Sequence, residues 1–318
     1  MNKIELGPTG LLVTPVCVGT VMLGNLPEVA GFDVTEEQAY ATIKHALNSP
    51  INFLDTSSSY GSAERIIGRV IKDTTGLPEG FILQTKVDRD LNTGNFSGDQ
   101  VRSSLEQSLK LLGLDYLPMI YIHDPEHTTF ENIMSTGGAL DTLKQYKQRG
   151  IVGHIGISGG PIGMLIKYVE TGEFEAVITH NRFNLLHRAA EPFLDIASRR
   201  GMAVLNAAPF ASGILADPSK KRFVYQEASN DIVERINKIK DICQKYGVSL
   251  RAAALQFSVR DPRITSTIVG TTTPEQIDDC LSLLNQQIPP ELFEEIDQHA
   301  IFSGDPEAER FPNRVYSD

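Results

Sequence analysis

Short apolar runs rich in β-branched residues recur along the chain, and each is followed by a stretch with helical periodicity. This alternation is typical of βαβ units, in which helices connect parallel strands. Eight such runs can be counted, at 16–20, 51–57, 81–87, 117–124, 152–158, 176–181, 202–209 and 264–270. Eight strand–helix units can close into a barrel, so we predict an α/β fold with one (β/α)8 TIM-type barrel as a single domain over residues 1–318.

The helical stretches begin and end at residues suited to helix termini. Thr35, Ser97, Ser229 and Thr273 stand where a side-chain oxygen can accept a hydrogen bond from the first helical turn. Five periodic runs end at a glycine, which enters the left-handed conformation of a helix C-terminus without strain. These glycines are Gly113, Gly150, Gly172, Gly201 and Gly247.

Two segments fall outside the eight units. KIELGPTGLLVTP near the start predicts a β-hairpin that turns through Gly7, Pro8 and Gly10 and plugs one end of the barrel. PPELFEEIDQHA at 289–300 predicts an extra helix after the eighth unit, and residues 302–318 form an irregular tail. We find no repeat, linker or low-complexity segment that would separate domains.

The composition, with 41% hydrophobic and 22% charged residues, is that of an ordinary globular protein. Lys and Arg number 29 against 40 Asp and Glu, and the resulting net charge of -11 repels nucleic acid and anionic membrane surfaces. No apolar run approaches the roughly 18 residues that span a bilayer, and the N-terminus lacks the apolar core of a secretory signal. We therefore expect a cytoplasmic protein with neither kind of partner. The oligomeric state stays open.

The three cysteines, Cys17, Cys243 and Cys280, are odd in number and lack the spacing of a zinc site. We predict that they are reduced, buried and apolar in character, and we expect no bound metal.

Three consecutive predicted strands end in ionisable residues, Asp55, Lys86 and His123, and Tyr60 lies in the loop after the first of them. Active sites of such barrels lie at the carboxyl ends of the strands, so we expect these four side chains to converge on one cavity.

Each of the four also has a purely structural alternative. Asp55 is suited to binding loop amides, Lys86 to a rim ion pair with Asp88, His123 to a backbone hydrogen bond, and Tyr60 to anchoring its loop. Four unrelated roles at neighbouring strand ends need four explanations, so a shared active site is the simpler hypothesis.

The four residue types suit proton transfer at an oxygen. A tyrosine phenol has an unperturbed pKa of about 10, and a nearby ammonium such as that of Lys86 favours the phenolate. The carboxylate of Asp55 would hold that buried ammonium in place. His123 would then hydrogen-bond the reacting carbonyl or alcohol oxygen and fix its orientation.

With these residues placed, the sequence resembles the aldo-keto reductases over essentially its whole length. The resemblance rests on FLDTSSSYGSAERIIG at 53–68, TK at 85–86, IHDP at 122–125 and APFASGIL at 208–215. It implies a (β/α)8 barrel with a nicotinamide cofactor extended across its mouth and direct hydride transfer between nicotinamide C4 and the substrate carbon. It also implies that Tyr60 is the proton donor or acceptor.

The resemblance further implies a set of cofactor-binding residues. Ser158 matches a serine that contacts the nicotinamide carboxamide, Gly159 stands where asparagine is usual, and His180 or Asn181 falls where glutamine is expected. Ala207 replaces the usual stacking aromatic residue, with Phe210 as a substitute from the other side of the ring. The pyrophosphate loop is matched by Ser212, Gly213 and Leu215, and the adenosine segment by Gly270, Thr271, Thr273 and Gln276. For Thr273 a helix-capping role is the alternative.

The cofactor prediction is NAD rather than NADP. Proteins usually hold the 2'-phosphate of NADP with Arg or Lys, and residues 264–309 contain neither. Glu275, Asp278 and Asp279 add negative charge there, although they also suit the first turns of a helix. The alternative is that Arg263, or a basic residue from another loop, reaches and binds the 2'-phosphate of NADP.

Within the family, NAAPFASGILA and the C-terminal tail resemble sugar dehydrogenases that oxidise C1 of free aldoses to lactones more than they resemble aldehyde-detoxifying reductases. We therefore predict an aldose 1-dehydrogenase. The alternatives are an NADPH-dependent aldehyde or ketone reductase and a non-catalytic, cofactor-binding regulatory subunit. A metal-dependent isomerase or hydrolase would need more carboxylates and histidines than this sequence has at the other strand ends. A retaining glycosidase would need a second carboxyl group, and the seventh strand ends in Ala-Ala-Pro instead. The exact substrate depends on loops 21–34, 88–96 and 216–228 and on the tail after Phe302.

Overall fold

The computed structural model describes residues 1–27, 31–220, 222–224, 226–299 and 304–307. Eight parallel strands form a closed barrel in which sequence neighbours pair, and the last strand pairs with both the seventh and the first. The strands are β1 Val16–Gly19, β2 Phe53–Asp55, β3 Ile82–Val87, β4 Leu117–His123, β5 Val152–Gly159, β6 Ala176–His180, β7 Ala203–Ala207 and β8 Ser266–Gly270. The predicted (β/α)8 barrel is therefore confirmed.

Helices pack around the outside of the barrel. They are α1 Glu36–Asn48, α2 Ala63–Asp73, α3 Gly98–Leu112, α4 Phe130–Met134, α5 Ala139–Gln148, α6 Ile162–Thr171, α7 Glu191–Arg199, α8 Asn230–Lys245, α9 Leu250–Val259, α10 Pro274–Asn285 and α11 Pro290–Asp297. The predicted caps Thr35, Ser97, Ser229 and Thr273 each accept a hydrogen bond from the backbone N–H three residues on. All five predicted C-terminal glycines have a positive φ.

The N-terminal hairpin closes the amino end of the barrel. Its strands Ile4–Glu5 and Leu12–Val13 pair in antiparallel fashion, and the buried Leu6 joins the apolar side chains inside the barrel. A Cβ on Gly7 would lie 2.6 Å from the backbone nitrogen of Ala203, at the start of β7. The hairpin backbone therefore lies directly against the barrel floor, as a plug requires.

The chain after β8 follows the prediction in part. Helix α11 is the expected extra helix, and residues 304–307 return to the barrel mouth. Residues 302–303 and 308–318 of the predicted tail lie outside the described residues, as do 28–30, 221 and 225 in the predicted specificity loops. Within the described part of the chain, no helix is both long and apolar enough to cross a membrane.

The three cysteines are free and buried, as predicted. Burial raises the pKa of the Cys243 thiol to about 11 and that of Cys280 to about 12. Both thiols therefore stay protonated near neutral pH and are poor nucleophiles.

Candidate active site

A cavity of about 1200 Å³ opens at the carboxyl ends of the barrel strands. Asp55, Tyr60, Lys86 and His123 all line it, so the structure brings together the four residues that the strand pattern singled out. From there the cavity continues along the β7 and β8 loops. Its volume exceeds that of a usual small-molecule pocket and suits an elongated ligand together with a substrate.

Lys86 and Asp55 form a buried ion pair at the centre of the four. The Nζ of Lys86 lies 2.7 Å from the Oδ2 of Asp55 and 2.7 Å from the carbonyl oxygen of Thr56. The other carboxylate oxygen of Asp55 accepts a bond of 2.7 Å from the side-chain amide of Gln84. The alternative pairing of Lys86 with Asp88 is not what the structure shows.

Tyr60 lies between the ammonium and the imidazole. The Nζ of Lys86 is 4.6 Å from the centroid of the Tyr60 ring, and the His123 ring meets that ring edge-on with centroids 5.7 Å apart. The loop after β1 packs closely on the Tyr60 turn, since a Cβ on Gly24 would lie 2.0 Å from the Tyr60 carbonyl oxygen. This close packing of two glycine-containing loops holds the Tyr60 backbone in place.

His123 is held by side chains rather than by backbone, unlike the structural alternative raised from the sequence. Its Nδ1 lies 2.7 Å from the Oδ2 of Asp88 and 3.3 Å from the hydroxyls of Ser57 and Ser59. Burial alone would lower the pKa of His123, but the carboxylates of Asp124 and Asp88 outweigh it, and the pKa is raised. Sequence reasoning missed this role of Asp88, although its spacing from Lys86 places both side chains on the same side of the chain.

Most of the predicted cofactor residues lie on the cavity wall. These are Ser158, His180, Phe210, Ser212, Gly213, Gly270, Thr271 and Gln276. Ala207, which stands where a stacking aromatic residue was expected, lies on the wall as well.

Three predicted cofactor residues do not line the cavity: Asn181, Leu215 and Thr273. Asn181 is fully buried next to His180, with a left-handed φ of 60°. Leu215 packs into the hydrophobic core. Thr273 caps α10 by accepting the backbone N–H of Gln276, which is the alternative that the sequence left open.

The cavity wall fits a polar cofactor at two buried hydroxyls. The Oγ of Ser212 and the Oγ1 of Thr271 are buried and have no hydrogen-bond partner among the described residues. A buried hydroxyl without a partner is unfavourable, so both groups are suited to bind a polar ligand. A Cβ on Gly213 would meet nothing within 4 Å, so the turn beside Ser212 is open to a ligand.

The C-terminal segment supplies an acidic wall that sequence reasoning missed. Glu307 lines the cavity, and its Oε2 lies 2.9 Å from a guanidinium nitrogen of the fully buried Arg182 and 3.1 Å from the Nε2 of His180. Arg182 also pairs with Asp305. Burial would raise the pKa of Glu307, but His180 and Arg182 outweigh burial and hold it far below the ordinary value.

The opposite end of the cavity carries a cation from an unexpected element. Arg251 on α9 lines the cavity beside Gln276 and pairs with Asp279 of α10. Arg263, which the sequence left as a possible phosphate ligand, instead pairs with Asp261 at 2.6 Å and Asp195 at 2.7 Å. It precedes β8 and therefore lies toward the amino end of the strands, away from the mouth.

Comparison with known proteins gives a consistent result over the whole barrel. A family model described as the aldo/keto reductase family matches residues 15–301. Pyridoxal 4-dehydrogenase of Microbacterium luteolum is 28% identical, covering 95% of this chain and 98% of its own length. L-galactose dehydrogenase of Arabidopsis thaliana is 29% identical over 90% of each chain, and D-threo-aldose 1-dehydrogenase of a Pseudomonas species is 26% identical over 90% and 94%.

The fold is shared with a solved structure. A crystal structure of a Pseudomonas aeruginosa protein named for the aldo-keto reductases superposes with a TM-score of 0.65 at 22% identity. The match covers 88% of this chain and 94% of the other.

Proposed function

Because the chain belongs to the aldo/keto reductase family and is an NAD(P)-dependent oxidoreductase, we propose that it oxidises the C1 hemiacetal of a free aldose to a lactone with NAD. The observation that carries the proposal is the grouping of Asp55, Tyr60, Lys86 and His123 in one cavity. The cavity continues past the hydroxyls of Ser212 and Thr271, which have no hydrogen-bond partner within the described ranges of the chain.

Each of the four residues has a role that follows from its contacts. Tyr60, as phenolate, takes the hydroxyl proton of the hemiacetal, and the Lys86 ammonium near its ring favours that ionised form. Asp55 keeps the ammonium in place. His123 contacts the reacting oxygen from the other side. The nicotinamide ring, when bound, supplies an acceptor at C4 for the hydride that leaves C1.

The proposed cofactor residues follow the cavity wall away from Tyr60. Ser158 and His180 would contact the carboxamide, Phe210 the nicotinamide ring, and Ser212 and Gly213 the pyrophosphate. Gly270, Thr271 and Gln276 would contact the adenosine end.

The wall near Tyr60 supports a neutral, polyhydroxylated substrate. Asp124, Glu126, His127 and Glu307 line the cavity and offer hydrogen bonds to several hydroxyl groups. Lys86 and Arg251 are the lysine and the arginine on the described part of the wall, and they are already paired with Asp55 and Asp279. An anionic substrate such as a keto acid or sugar phosphate would therefore meet these carboxylates and would find both Lys86 and Arg251 already paired.

NAD as the cofactor is supported by the charges at the adenosine end. Glu275 and Asp279 line the cavity there, and Asp279 holds Arg251. A 2'-phosphate would have to displace a carboxylate from Arg251 before gaining an ion pair of its own.

A substrate panel tests the proposal directly. Free aldoses, pyridoxal and simple aldehydes are each offered with NAD, NADP and their reduced forms, and the absorbance of reduced nicotinamide is followed, with the Tyr60→Phe variant as the blank. The expected result is the highest kcat/KM for an aldose with NAD. A higher value for pyridoxal, or for aldehyde reduction with NADPH, would contradict it. Cofactor binding without any turnover would instead favour the regulatory-subunit alternative.

A further inference from the structure

Asp124 follows His123 directly and has an unusual backbone conformation at the barrel mouth. Its φ and ψ are 46° and 53°, in the left-handed region, and the next residue is Pro125. A residue before proline is normally extended, and residues other than glycine enter the left-handed region at a cost in free energy. Two backbone hydrogen bonds hold the conformation, from the Asp124 N–H to the Ser158 carbonyl at 2.8 Å and from the His127 N–H to the Asp124 carbonyl at 3.2 Å. Strained residues of this kind cluster at ligand-binding sites.

The side chain of Asp124 does not cap the short 3₁₀ helix, Pro125–His127, that it precedes. An aspartate at such a position usually accepts a hydrogen bond from the helix backbone, and here no side-chain capping bond forms. The carboxylate lines the cavity instead, with 28% of the side chain exposed, and its Oδ1 lies 3.5 Å from the Nε2 of His123. That distance is longer than a normal hydrogen bond, so the carboxylate keeps its capacity to accept one.

Two other carboxylates on this wall are already engaged. The Oε1 of Glu126 accepts the N–H of Gly160 at 3.0 Å, and the Oε2 of Glu307 holds the guanidinium of Arg182 at 2.9 Å. Both glutamates are only 2% exposed. Of the three, Asp124 is therefore the carboxylate best placed to accept a hydrogen bond from a substrate.

The position of Asp124 relative to His123 indicates which substrate group it contacts. The Nδ1 of His123 is taken by Asp88 at 2.7 Å, so Nε2 is the nitrogen left for the reacting oxygen on C1. Its distance of 3.5 Å from the Oδ1 of Asp124 is close to the separation of hydroxyl oxygens on adjacent carbons of a sugar. One substrate can therefore reach both groups with neighbouring oxygens. The proton of the C1 hydroxyl goes to Tyr60, whereas the C2 hydroxyl points its own proton at Asp124, so no proton is used twice.

We propose that Asp124 is a specificity-determining residue whose carboxylate accepts a hydrogen bond from the hydroxyl on the carbon next to the reacting carbon. A 2-deoxy substrate would displace water from this carboxylate without replacing the hydrogen bond, so the enzyme selects 2-hydroxy substrates. The inference rests on the proposed function in placing the reacting oxygen at His123. It does not require an aldose, because a 2-hydroxyaldehyde presents the same pair of oxygens.

Matched substrate pairs measure this selectivity. Oxidation with NAD compares the best aldose of the panel with its 2-deoxy and 3-deoxy analogues, and reduction compares 2-hydroxypropanal with propanal. Wild-type kcat/KM is expected to be about 10- to 100-fold higher for each 2-hydroxy substrate than for its 2-deoxy partner, the range for a hydrogen bond to a charged group. Asp124→Gly should reduce this ratio to within about threefold, because the acceptor is gone. The ratio for the 3-deoxy analogue should stay as in the wild type.

Two further variants separate the local contact from general effects. Glycine and asparagine both tolerate the left-handed backbone, so Asp124→Gly and Asp124→Asn are each expected to fold. Asp124→Asn keeps the shape with a neutral amide and should give an intermediate ratio. Asp115→Asn removes the same charge from an exposed residue before the amino end of β4 and should leave every ratio unchanged. Comparing enzymes on one substrate pair also cancels differences in the intrinsic reactivity of the substrates.

The possible results distinguish this inference from the proposed function. An unchanged ratio in Asp124→Gly would overturn the inference, as would a wild-type ratio near one. An equal fall in kcat/KM for both members of a pair would also overturn it, since that is what a purely structural role predicts. Absence of aldose oxidation would contradict the proposed function alone, because the 2-hydroxypropanal pair still measures the role of Asp124.

Calorimetry decides the case in which neither substrate class is turned over. The complex of the protein with NAD is titrated with an unreactive 1,5-anhydroalditol and with its 2-deoxy derivative. Tighter binding of the 2-hydroxy compound, lost in Asp124→Gly, would support the inference. Equal or undetectable binding of the two compounds would overturn it.

Discussion

The ammonium of Lys86 lies 2.7 Å from the carboxylate of Asp55, and the two side chains are 2% and 4% exposed. Desolvating two charges is expensive, and the direct contact offsets part of that penalty. Lys86 also donates to the carbonyl oxygen of Thr56, so the pair is tied to the backbone beside the Tyr60 loop. The same ion pair therefore contributes to the stability of the barrel mouth and holds a positive charge near the Tyr60 ring.

Lys86→Met should separate these two effects. Leaving Asp55 buried without its partner is expected to lower the free energy of unfolding by about 3–5 kcal/mol. Oxidation should need a more alkaline pH, because the charge favouring the phenolate of Tyr60 is gone. Denaturant unfolding measures the loss of stability, and a pH–rate profile measures the change in the pH dependence of oxidation. The matched double variant Asp55→Asn/Lys86→Met should regain most of the stability but not the original pH–rate profile. A folded Lys86→Met enzyme with the wild-type profile would refute the electrostatic role of Lys86.

Tyr60→Phe removes one hydroxyl and leaves the ring against His123. Turnover should fall roughly 100- to 10,000-fold, because general acid–base catalysis is typically worth that much. The dissociation constant of NAD should stay within about twofold of the wild type, since Tyr60 is assigned to the substrate oxygen. Single-turnover kinetics with a fluorescence titration of the cofactor checks both. More than about a tenth of the wild-type rate in the chemical step would remove Tyr60 from its role.

Ionised Glu307 should contribute stability that the protein loses at acid pH. Its pKa is lowered in the folded state, since His180 and Arg182 outweigh its burial. On acidification, the unfolded chain therefore protonates this glutamate at a higher pH than the folded protein does. The contribution of Glu307 to the free energy of unfolding is full above the ordinary glutamate pKa of about 4.3 and is lost as pH falls through the lowered value. Denaturant unfolding from pH 7 to pH 3 should show a shallower acid loss in Glu307→Gln than in the wild type.

The exposed Glu294 on α11 provides the control for this pH effect, since Glu294→Gln should leave the acid slope unchanged. Equal slopes in the wild type and Glu307→Gln would mean that the contact with Arg182 does not persist in solution.

Asp279→Asn should relax the choice of cofactor. Arg251 would lose its carboxylate partner beside the adenosine end and become available to a 2'-phosphate. The affinity for NADP is expected to rise about tenfold, the equivalent of roughly 1.4 kcal/mol, while the affinity for NAD changes little. Equilibrium fluorescence titrations with both cofactors measure this. Arg251→Met in the Asp279→Asn background should abolish the gain, and a gain that survives it would point to another cation.

Ser212→Ala and Thr271→Val should weaken NAD binding without lowering stability. Both hydroxyls are buried and have no hydrogen-bond partner in the described part of the protein, so removing them leaves no partner unsatisfied. Calorimetry should show roughly fivefold to tenfold weaker binding for each variant, the loss of about one hydrogen bond. Thr273→Val provides the contrast, since losing a helix cap costs about 1 kcal/mol of stability and should leave NAD affinity unchanged. Unchanged affinity in both Ser212→Ala and Thr271→Val would place the cofactor elsewhere.

The sequence by itself determined the barrel and the grouping of the four central residues. Eight apolar runs separated by helical periods permit few other architectures, and parallel strands in a barrel all end at one face. Asp55, Lys86 and His123 each stand at the end of such a run, so their positions along the sequence were enough to predict that they lie together. The capping residues were equally predictable, because a cap depends only on the next three residues.

Tertiary structure alone decided how these residues are partnered and how the cavity is completed. Asp88 was visible as a neighbour of Lys86, but only the geometry of the mouth assigns it to His123. Arg182 and Glu307 are 125 positions apart, and Arg251 reaches the cavity from a helix that precedes the β8 segment. Ion pairs of this kind form between side chains brought close by the closed barrel and the returning C-terminal segment. Charged residues that form such pairs do not recur with the period of a helix or strand. The neighbouring sequence therefore does not indicate which partner a charged side chain will contact.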